Sequence, residues 1–251
     1  GIIEGLTEFL PISSTAHLRI AEALLHVPLE SGYWKMYTVV IQLGAILCLP
    51  IYFRERIANF LSTFPRGERG DRAALTHPLG LTIVAFVVTA IPGFLLTKVI
   101  GNNLESLTII GASLLIGGIV MWVVDARTSE AHNSKAAATQ HMEDMTLRQA
   151  MWIGAGQLVS AVFPGTSRSM ATITGGQLVG MSRASALEFS FFLSMPTMAA
   201  ATGYDLLKAL MGKDDNPIGV AQMDAHGWIV LAIGFLISFI VAYGAVAWFM
   251  A

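Results

Sequence analysis

The sequence contains few charged residues and a single cysteine. Only 13% of its 251 residues are charged, 54% are apolar, and the mean hydropathy is +0.63. A soluble domain of this length needs far less apolar surface to build a core, so the composition excludes that class and predicts a membrane protein. Cys48 lies in an apolar run and cannot form an intramolecular disulfide. No run of Lys or Arg could follow a nucleic-acid backbone, so nucleic acid is not an expected partner.

Long apolar runs recur along the whole chain, so a removable signal peptide does not account for them. A helix that crosses a bilayer needs about 20 predominantly apolar residues. Runs of about this length occur at about 36–53, 79–97, 107–124, 185–207 and 226–250. We therefore predict an all-α, polytopic integral membrane protein.

Two further apolar stretches, 1–25 and 147–180, are each interrupted by a proline, in FLPISST at 9–15 and FPGTSRS at 163–169. Proline removes a backbone donor and disfavours helix in the residue before it, whereas the Ser and Thr residues that follow are good N-caps. Each stretch should fold as two short helices that meet at a break, which is the pattern of a re-entrant helical hairpin. Broken backbone at membrane depth needs protein or water to satisfy its polar groups, so both breaks are predicted to face one buried polar site.

The two halves of the chain align as internal repeats with an offset of 153 residues. The alignment pairs Gly1 with Gly154, Glu4 with Gln157, Pro11 with Pro164, Ser14 with Ser167 and Ile20 with Ile173. We predict a single membrane domain 1–251, with a first repeat at about 1–124, a linker at 125–146 and a second repeat at about 147–251. The counterpart of span 107–124 would lie beyond the end of the sequence, so the second repeat is expected to lack its last helix.

Basic residues indicate the orientation, because short cytoplasmic loops carry an excess of Lys and Arg. One predicted side holds nine of them: Arg54, Arg56, Arg66, Arg69, Arg72, Arg127, Lys135, Arg148 and Arg183. The other side holds four: Lys35, Lys98, Lys208 and Lys213. The first hairpin then enters from the outer side and the second from the cytoplasm. The repeats are therefore predicted to be inverted, with tips that can meet near the midplane.

The first hairpin carries two glutamates, Glu4 and Glu8, one helical turn apart in apolar surroundings. Like charges with this spacing share one face of a helix and repel each other. Three arrangements could compensate this repulsion: one carboxyl is protonated, an arginine reaches the pair, or a divalent cation lies between the pair and a substrate phosphate. The structural alternative is a helix end at the aqueous interface, with both acids solvated. His17, Arg19 and Glu22 follow within two turns, and such a density of ionisable residues in a membrane segment favours a functional site.

The second break supplies the opposite charge, in PGTSRS at 164–169. Pro164 and Gly165 leave backbone N–H groups of this segment without helical partners. Thr166, Ser167 and Ser169 supply hydroxyls, and Arg168 stands at the start of a helix. Helix N-termini and a forked guanidinium suit phosphate oxygens. The segment is therefore predicted to bind an anion. The alternative is an ordinary Ser/Thr cap, with Arg168 extended to the interface.

Together the two breaks offer the components of phosphoryl transfer: carboxylates for a cation, an arginine for a phosphate, hydroxyls as nucleophiles and an imidazole for proton transfer. A serine is a poor nucleophile unless a base takes its proton. Ser14 and His17 are three residues apart, which places them on one helical turn and close enough for that role. Gln42, in VVIQLGAI, either lines the same cavity or bonds a neighbouring helix.

Two segments, EGLTEFLPISSTAH at 4–17 and PGTSRSMATI at 164–173, closely resemble the signature stretches of the bacterial undecaprenyl pyrophosphate phosphatase family, also called bacitracin-resistance proteins. The likeness covers essentially the whole chain. It implies a multi-pass enzyme of the bacterial plasma membrane that hydrolyses the lipid carrier diphosphate released by cell-wall polymer synthesis, so that the monophosphate is recycled. It also implies a requirement for Mg²⁺ or Ca²⁺ and a fold of interlocked inverted repeats.

By the same resemblance, the predicted catalytic residues are Glu4, Glu8, Ser14, His17 and Arg168. The predicted substrate-binding residues are Ser13, Thr15, Gln42, Thr166, Ser167 and Ser169. The two glutamates would also hold the cation, and the nucleophile is Ser14, His17 or water. Met170 departs from the family, which usually has glycine there, and its bulk either narrows the phosphate cradle or faces lipid.

A polyprenyl-phosphate transporter or flippase is the alternative function, because secondary transporters also use inverted repeats with helices broken at the midplane. A hybrid that hydrolyses and moves the carrier lipid is also open. The soluble-motif type of lipid phosphate phosphatase is not favoured, since its P-S-G sequence is missing. The expected partners are a polyprenyl diphosphate and membrane lipid, with a homodimer left open. The active site is expected to open toward the outer, periplasmic side.

Overall fold

The structure, a computed structural model, describes residues 1–27, 32–67, 70–104, 106–132, 139–210 and 224–250, excepting the side chains of 129–132, 205, 206 and 208–210. Within these ranges it is helical, with a 3₁₀ turn at Met142–Asp144 and one isolated bridge between Thr139 and Met181. The helices are α1 (Ile2–Thr7), α2 (Ser14–Leu24), α3 (Gly32–Tyr52), α4 (Arg54–Thr63), α5 (Pro78–Leu95), α6 (Thr97–Leu104), α7 (Leu107–His132), α8 (Leu147–Val162), α9 (Arg168–Leu178), α10 (Arg183–Leu210) and α11 (Ala225–Met250). The predicted all-α class is confirmed.

Four of the described helices are long and apolar enough to cross a membrane: α3, α5, α11 and the part of α7 at Leu107–Thr128. They confirm four of the five predicted spans and make the protein a polytopic membrane protein. The fifth predicted span, 185–207, does form a helix, since α10 has 28 residues. It is not among the four, because Glu188 and several serines make α10 more polar than the others.

Both predicted breaks are confirmed as interruptions between short helices. Residues 8–13 separate α1 from α2, and residues 163–167 separate α8 from α9. A serine caps the helix after each break: Ser13 Oγ accepts the backbone N–H three residues later at 3.4 Å, and Ser167 Oγ does the same at 3.3 Å. Each cap satisfies one of the N–H groups that a helix start leaves without an intrahelical partner. That the hairpins re-enter the membrane stays a prediction.

The described chain divides into two compact units, which do not coincide with the predicted repeats. Unit 1 contains residues 1–10, 17–52 and 195–251, and unit 2 contains residues 11–16 and 53–194. Each unit therefore takes segments from both halves of the sequence. That the chain forms a single membrane domain of two repeats stays a prediction.

Within each unit, a helix from one predicted repeat packs on a helix from the other. In unit 1, α1 of the first repeat packs on α11 of the second, and in unit 2, α8 of the second repeat packs on α5 of the first. At the offset of 153 residues, α8 is the counterpart of α1 and α11 is the counterpart of α5, so both units contain the same pair with the halves exchanged. The packing supports an internal repeat independently of sequence identities.

Glycine allows these exchanged pairs to approach closely. A Cβ on Gly5 would lie 2.7 Å from the carbonyl oxygen of Ser238, and one on Gly154 would lie 2.5 Å from that of Ala85. Ala85 and Ser238 occupy equivalent positions of the two repeats. Such small-residue contacts are typical of helices packed in membranes, where backbones approach each other without a hydrophobic driving force.

The predicted linker, 125–146, is structured at both ends. α7 continues to His132, beyond the predicted end of its span at 124. At the other end, the Thr139 N–H donates to the Gly180 carbonyl at 3.2 Å. The centre of the linker, 133–138, lies outside the described residues together with Lys135, as do Arg69 and Lys213.

His77 caps α5 and is fully buried. Its Nδ1 accepts the Leu79 N–H at 3.2 Å, and its Nε2 lies 3.2 Å from the hydroxyl of Thr63. The Nδ1 must therefore be unprotonated, and Nε2 carries the proton toward Thr63. Burial lowers the pKa of His77, and the nearby positive charge of Arg72 lowers it further. The folded state therefore selects the neutral ring.

We expect acid to destabilise the protein through His77. Because the pKa is lowered on folding, the unfolded chain binds a proton more readily, so the stabilisation is complete above the ordinary pKa of about 6.5 and is lost as the pH falls below it. The melting temperature of the purified protein, recorded between pH 8 and 5.5, measures this loss of stability. His77→Asn is the control, because asparagine caps a helix well and does not titrate in this range. An equal decrease of melting temperature in both proteins would contradict the assignment.

Candidate functional site

The acidic pair lies on one face of α1 and is buried. Glu4 is 1% exposed and Glu8 is 7% exposed, and the Glu8 N–H donates to the Glu4 carbonyl at 2.9 Å, as a helical turn requires. Gly1 and Gly5 lie against α11, where an added Cβ on either would come within 2.7 Å of a carbonyl oxygen. The burial contradicts the alternative in which both carboxylates are solvated at a helix end.

Ser14 and His17 both lie in the first turn of α2, as predicted from their spacing. Each side chain is half-buried, whereas Ser13 is buried and caps the helix. Ser13 has φ +67°, a left-handed conformation that non-glycine residues seldom adopt. Such strain at a turn is often found at functional sites, because the surrounding structure must impose it. One turn further along, Arg19 pairs with Glu22 at 3.6 Å.

The second break forms a tight turn that ends in the N-terminus of α9. Gly165 has φ +104°, and a Cβ there would lie 2.1 Å from the Ile110 carbonyl oxygen, so only glycine fits. Ser167 is the N-cap and is buried, as is Ser169, whereas Thr166 and Arg168 are half-buried. The turn therefore places hydroxyls and a guanidinium at the positive end of an 11-residue helix, an arrangement that suits an anion.

Three contacts that sequence reasoning missed hold α9 in place. The Thr172 hydroxyl lies 2.6 Å from the Ser190 hydroxyl of α10, and the Gln177 side-chain amide donates to Asp125 of α7 at 2.9 Å and to Thr128 at 3.2 Å. The sequence feature that could have indicated these contacts is the presence of hydroxyl and amide side chains in otherwise apolar helices. Because these contacts fix the axis of α9, they also fix the position of its first residue, Arg168.

The predicted site residues fall into both units. Glu4, Glu8, His17 and Gln42 belong to unit 1, and Gln42 is a partly exposed residue of α3. The hydroxyl run Ser13, Ser14 and Thr15 belongs to unit 2, together with Thr166, Ser167, Arg168 and Ser169. Residues 164–169, called the hydroxyl loop below, are therefore in the same compact unit as residues 13–15. That all these residues form a single pocket, and that each has its predicted role, stays a prediction.

Met170 is buried, at 4% exposure, and lines an apolar cavity between α7, α8 and α9. A Cβ on Gly117 would lie 2.8 Å from its Cε, and its sulfur accepts a hydrogen bond from the Thr174 hydroxyl at 3.6 Å. Of the two predicted alternatives, exposure to lipid is therefore excluded. The side chain fills a place in this cavity, whose other walls include Thr166 of the hydroxyl loop.

The donor set of α1 fits a hard divalent cation. Two carboxylates on one buried helical face supply oxygen ligands, and Mg²⁺ commonly takes one or two protein carboxylates and completes its shell with water and substrate phosphate oxygens. Among the described residues, no cluster of three or more His, Cys, Asp or Glu side chains could hold a metal alone. A cation bound here would therefore complete its shell with oxygens from outside the carboxylate pair, such as those of water or of a substrate phosphate.

Among the described residues, four apolar helices of membrane-spanning length and two breaks between shorter helices define a polytopic membrane protein. The family model described as "Bacitracin resistance protein BacA" matches residues 1–251. The chain belongs to this family.

Curated relatives cover all of the chain. The protein named undecaprenyl-diphosphatase from Koribacter versatilis is 65% identical over 252 residues, which are 100% of this chain and 86% of the relative. Proteins of the same name from Caldanaerobacter subterraneus and Thermus thermophilus are 40% and 39% identical, and the match covers 84% and 85% of their length. The predicted family is confirmed.

Proposed function

We propose that this protein hydrolyses undecaprenyl diphosphate to the monophosphate and inorganic phosphate and so recycles the cell-wall lipid carrier. The observation that carries the proposal is that all of this chain matches proteins named undecaprenyl-diphosphatase. The buried acidic pair and the hydroxyl loop with Arg168 supply chemistry that suits this reaction.

In the proposed reaction, an oxygen nucleophile attacks the terminal phosphorus and forms a new P–O bond. The bond from that phosphorus to the bridging oxygen breaks, and the polyprenyl monophosphate leaves. Arg168 and the N-terminus of α9 stabilise the charge on the transferred phosphoryl group, which is the main catalytic task in such reactions. His17 accepts the proton of the nucleophile, either the Ser14 hydroxyl or a water molecule. If Ser14 attacks, water hydrolyses the phosphoserine in a second step.

Glu4 and Glu8 are proposed to hold Mg²⁺ or Ca²⁺. The support is the buried carboxylate pair on one face of α1. A bound divalent cation would neutralise phosphate charge, and it would also relieve the repulsion between the two carboxylates.

Liposomes that contain the purified protein test the function. With undecaprenyl diphosphate in the bilayer and no ion gradient, we expect release of inorganic phosphate. The transporter alternative has no support from the relatives, and gradient-dependent movement of intact diphosphate without phosphate release would overturn the proposal in its favour. A trapped phosphoserine would identify Ser14 as the nucleophile, whereas a trapped phosphohistidine would contradict the proposed role of His17 as the base. Entry of ¹⁸O from water into the phosphate in one turnover, without an intermediate, would identify water.

We also propose that the acidic hairpin opens toward the periplasm, on the basis of the distribution of arginines. Arg66 is exposed and Cys48 is buried, so Arg66→Cys introduces an accessible thiol into the described residues. An impermeant maleimide should not label this variant in intact cells and should label it after lysis. Labelling from outside would contradict the orientation.

A further inference from the structure

Each broken hairpin lines an apolar cavity, and the two cavities use the same positions of the repeat. The cavity in unit 1 has a volume of about 470 Å³, and the cavity in unit 2 has a volume of about 380 Å³. Six wall positions correspond at the offset of 153 residues. The pairs are Ile2 and Ala155, Ile3 and Gly156, Leu18 and Ala171, Ala21 and Thr174, Glu22 and Gly175, and Leu25 and Leu178. Both hairpins therefore turn the same face toward a cavity.

The residues that line the two cavities differ in the size and in the charge of their side chains. Ala155, Gly156 and Gly175 of the second hairpin stand where the first hairpin has two isoleucines and Glu22. A Cβ on Gly175 would meet no atom within 4 Å, and one on Gly156 would come no closer than 3.8 Å to another atom. The wall of the α7–α8–α9 cavity carries no charged side chain, and its polar side chains are those of Thr166 and Thr174. In the unit 1 cavity, by contrast, Glu22 contributes a carboxylate to the wall, and this carboxylate pairs with Arg19.

The α7–α8–α9 cavity is continuous with the hydroxyl loop. Thr166 lies in its wall, two residues before Arg168, and the wall extends along α9 to Leu178. At 1.5 Å per residue, the helical part of this wall from Met170 to Leu178 is about 12 Å long. Met170 lies between Thr166 and Leu178, and its flexible thioether adapts to irregular apolar shapes.

We propose that the α7–α8–α9 cavity binds the isoprenoid units nearest the diphosphate, while the diphosphate lies at the hydroxyl loop. The occupant is the polyprenyl chain, because an uncharged hydrocarbon slot that ends at a phosphate-binding turn matches a molecule with a diphosphate on an apolar chain. Gly175 and Gly156 then determine specificity for the chain. The inference rests on the proposed function.

Gly175→Leu tests the inference by filling the slot. The measurement is kcat/KM for undecaprenyl diphosphate divided by kcat/KM for dimethylallyl diphosphate, whose five-carbon tail cannot extend along the cavity. We expect the ratio to fall at least tenfold, which equals about 1.4 kcal/mol. Gly118→Leu is the matched control: Gly118 is an exposed helical glycine outside this cavity, an added Cβ meets no atom within 4 Å, and the ratio should not change.

An unchanged ratio in Gly175→Leu, with active parent protein, would overturn the inference and leave the proposed function intact. No phosphate release from either substrate by the parent protein would instead overturn the proposed function. If Gly175→Leu does not fold, photolabelling of the parent protein tests whether the polyprenyl chain occupies the cavity. A diazirine in the second isoprenoid unit should label α8 or α9, and labelling of that site only by a diazirine phospholipid would identify it as ordinary lipid-facing surface.

Discussion

Arg168→Ala is expected to reduce phosphate release from undecaprenyl diphosphate by at least about 10²-fold, which is the effect of removing a main charge-stabilising donor from an active site. The side chain stands at the first position of α9, after a turn that only glycine at 165 permits. Arg168→Lys should restore only part of the activity, because lysine keeps the charge but not the bidentate fork. The rate of steady-state phosphate release in detergent micelles measures the activity of both variants.

Arg148→Ala provides the control for this prediction. Arg148 is an exposed arginine of α8, the other helix of the same hairpin, so its removal changes the net charge equally. We expect its activity to stay within about twofold, since surface substitutions usually have small effects. Near-normal phosphate release by a folded Arg168→Ala protein would remove Arg168 from the proposed chemistry.

The local features of the fold could be predicted from the sequence because they depend on neighbouring residues. Four spans follow from runs of apolar residues, and both breaks follow from a proline and the Ser/Thr residues after it. α4 was not predicted, because ten residues with two arginines and a glutamate give no span signal. α7 was predicted too short, since the polar residues after 124 ended the apolar run but do not end a helix.

The exchange of helices could not be predicted in the same way. Nothing local in α1 specifies α11 as its neighbour; the pairing depends on Gly5 approaching a backbone carbonyl more than two hundred residues away. The position of Met170 depends similarly on the absence of a side chain at Gly117. For the candidate site, sequence spacing predicted the buried acidic face of α1 and the capped turn before α9. The contacts that hold α9, such as that between Thr172 and Ser190, involve residue types that are common in membrane helices and so gave no specific signal.

Glu8→Gln is expected to lower activity at a fixed Mg²⁺ concentration by at least about 10²-fold, because it removes one of the two carboxylates proposed to hold the cation. Gln has nearly the same size as Glu, so the close packing of α1 on α11 is kept. The activity that remains should need a higher Mg²⁺ concentration for half-maximal rate. Glu55→Gln is the control, since Glu55 is a surface carboxylate with a side chain that is 90% exposed, and its Mg²⁺ dependence should match that of the parent.

The stability of Glu8→Gln separates a metal-holding role from a merely structural one. The reference for each protein is its melting temperature in the presence of a chelator, where no divalent cation is bound. Mg²⁺ should raise the melting temperature of the parent more than that of Glu8→Gln, because a cation that binds only the folded state stabilises the parent by mass action and the variant much less. If Mg²⁺ raised the melting temperatures of both proteins equally, the pair would not hold the cation, and the compensation of the two charges would have to come from a proton or from an arginine.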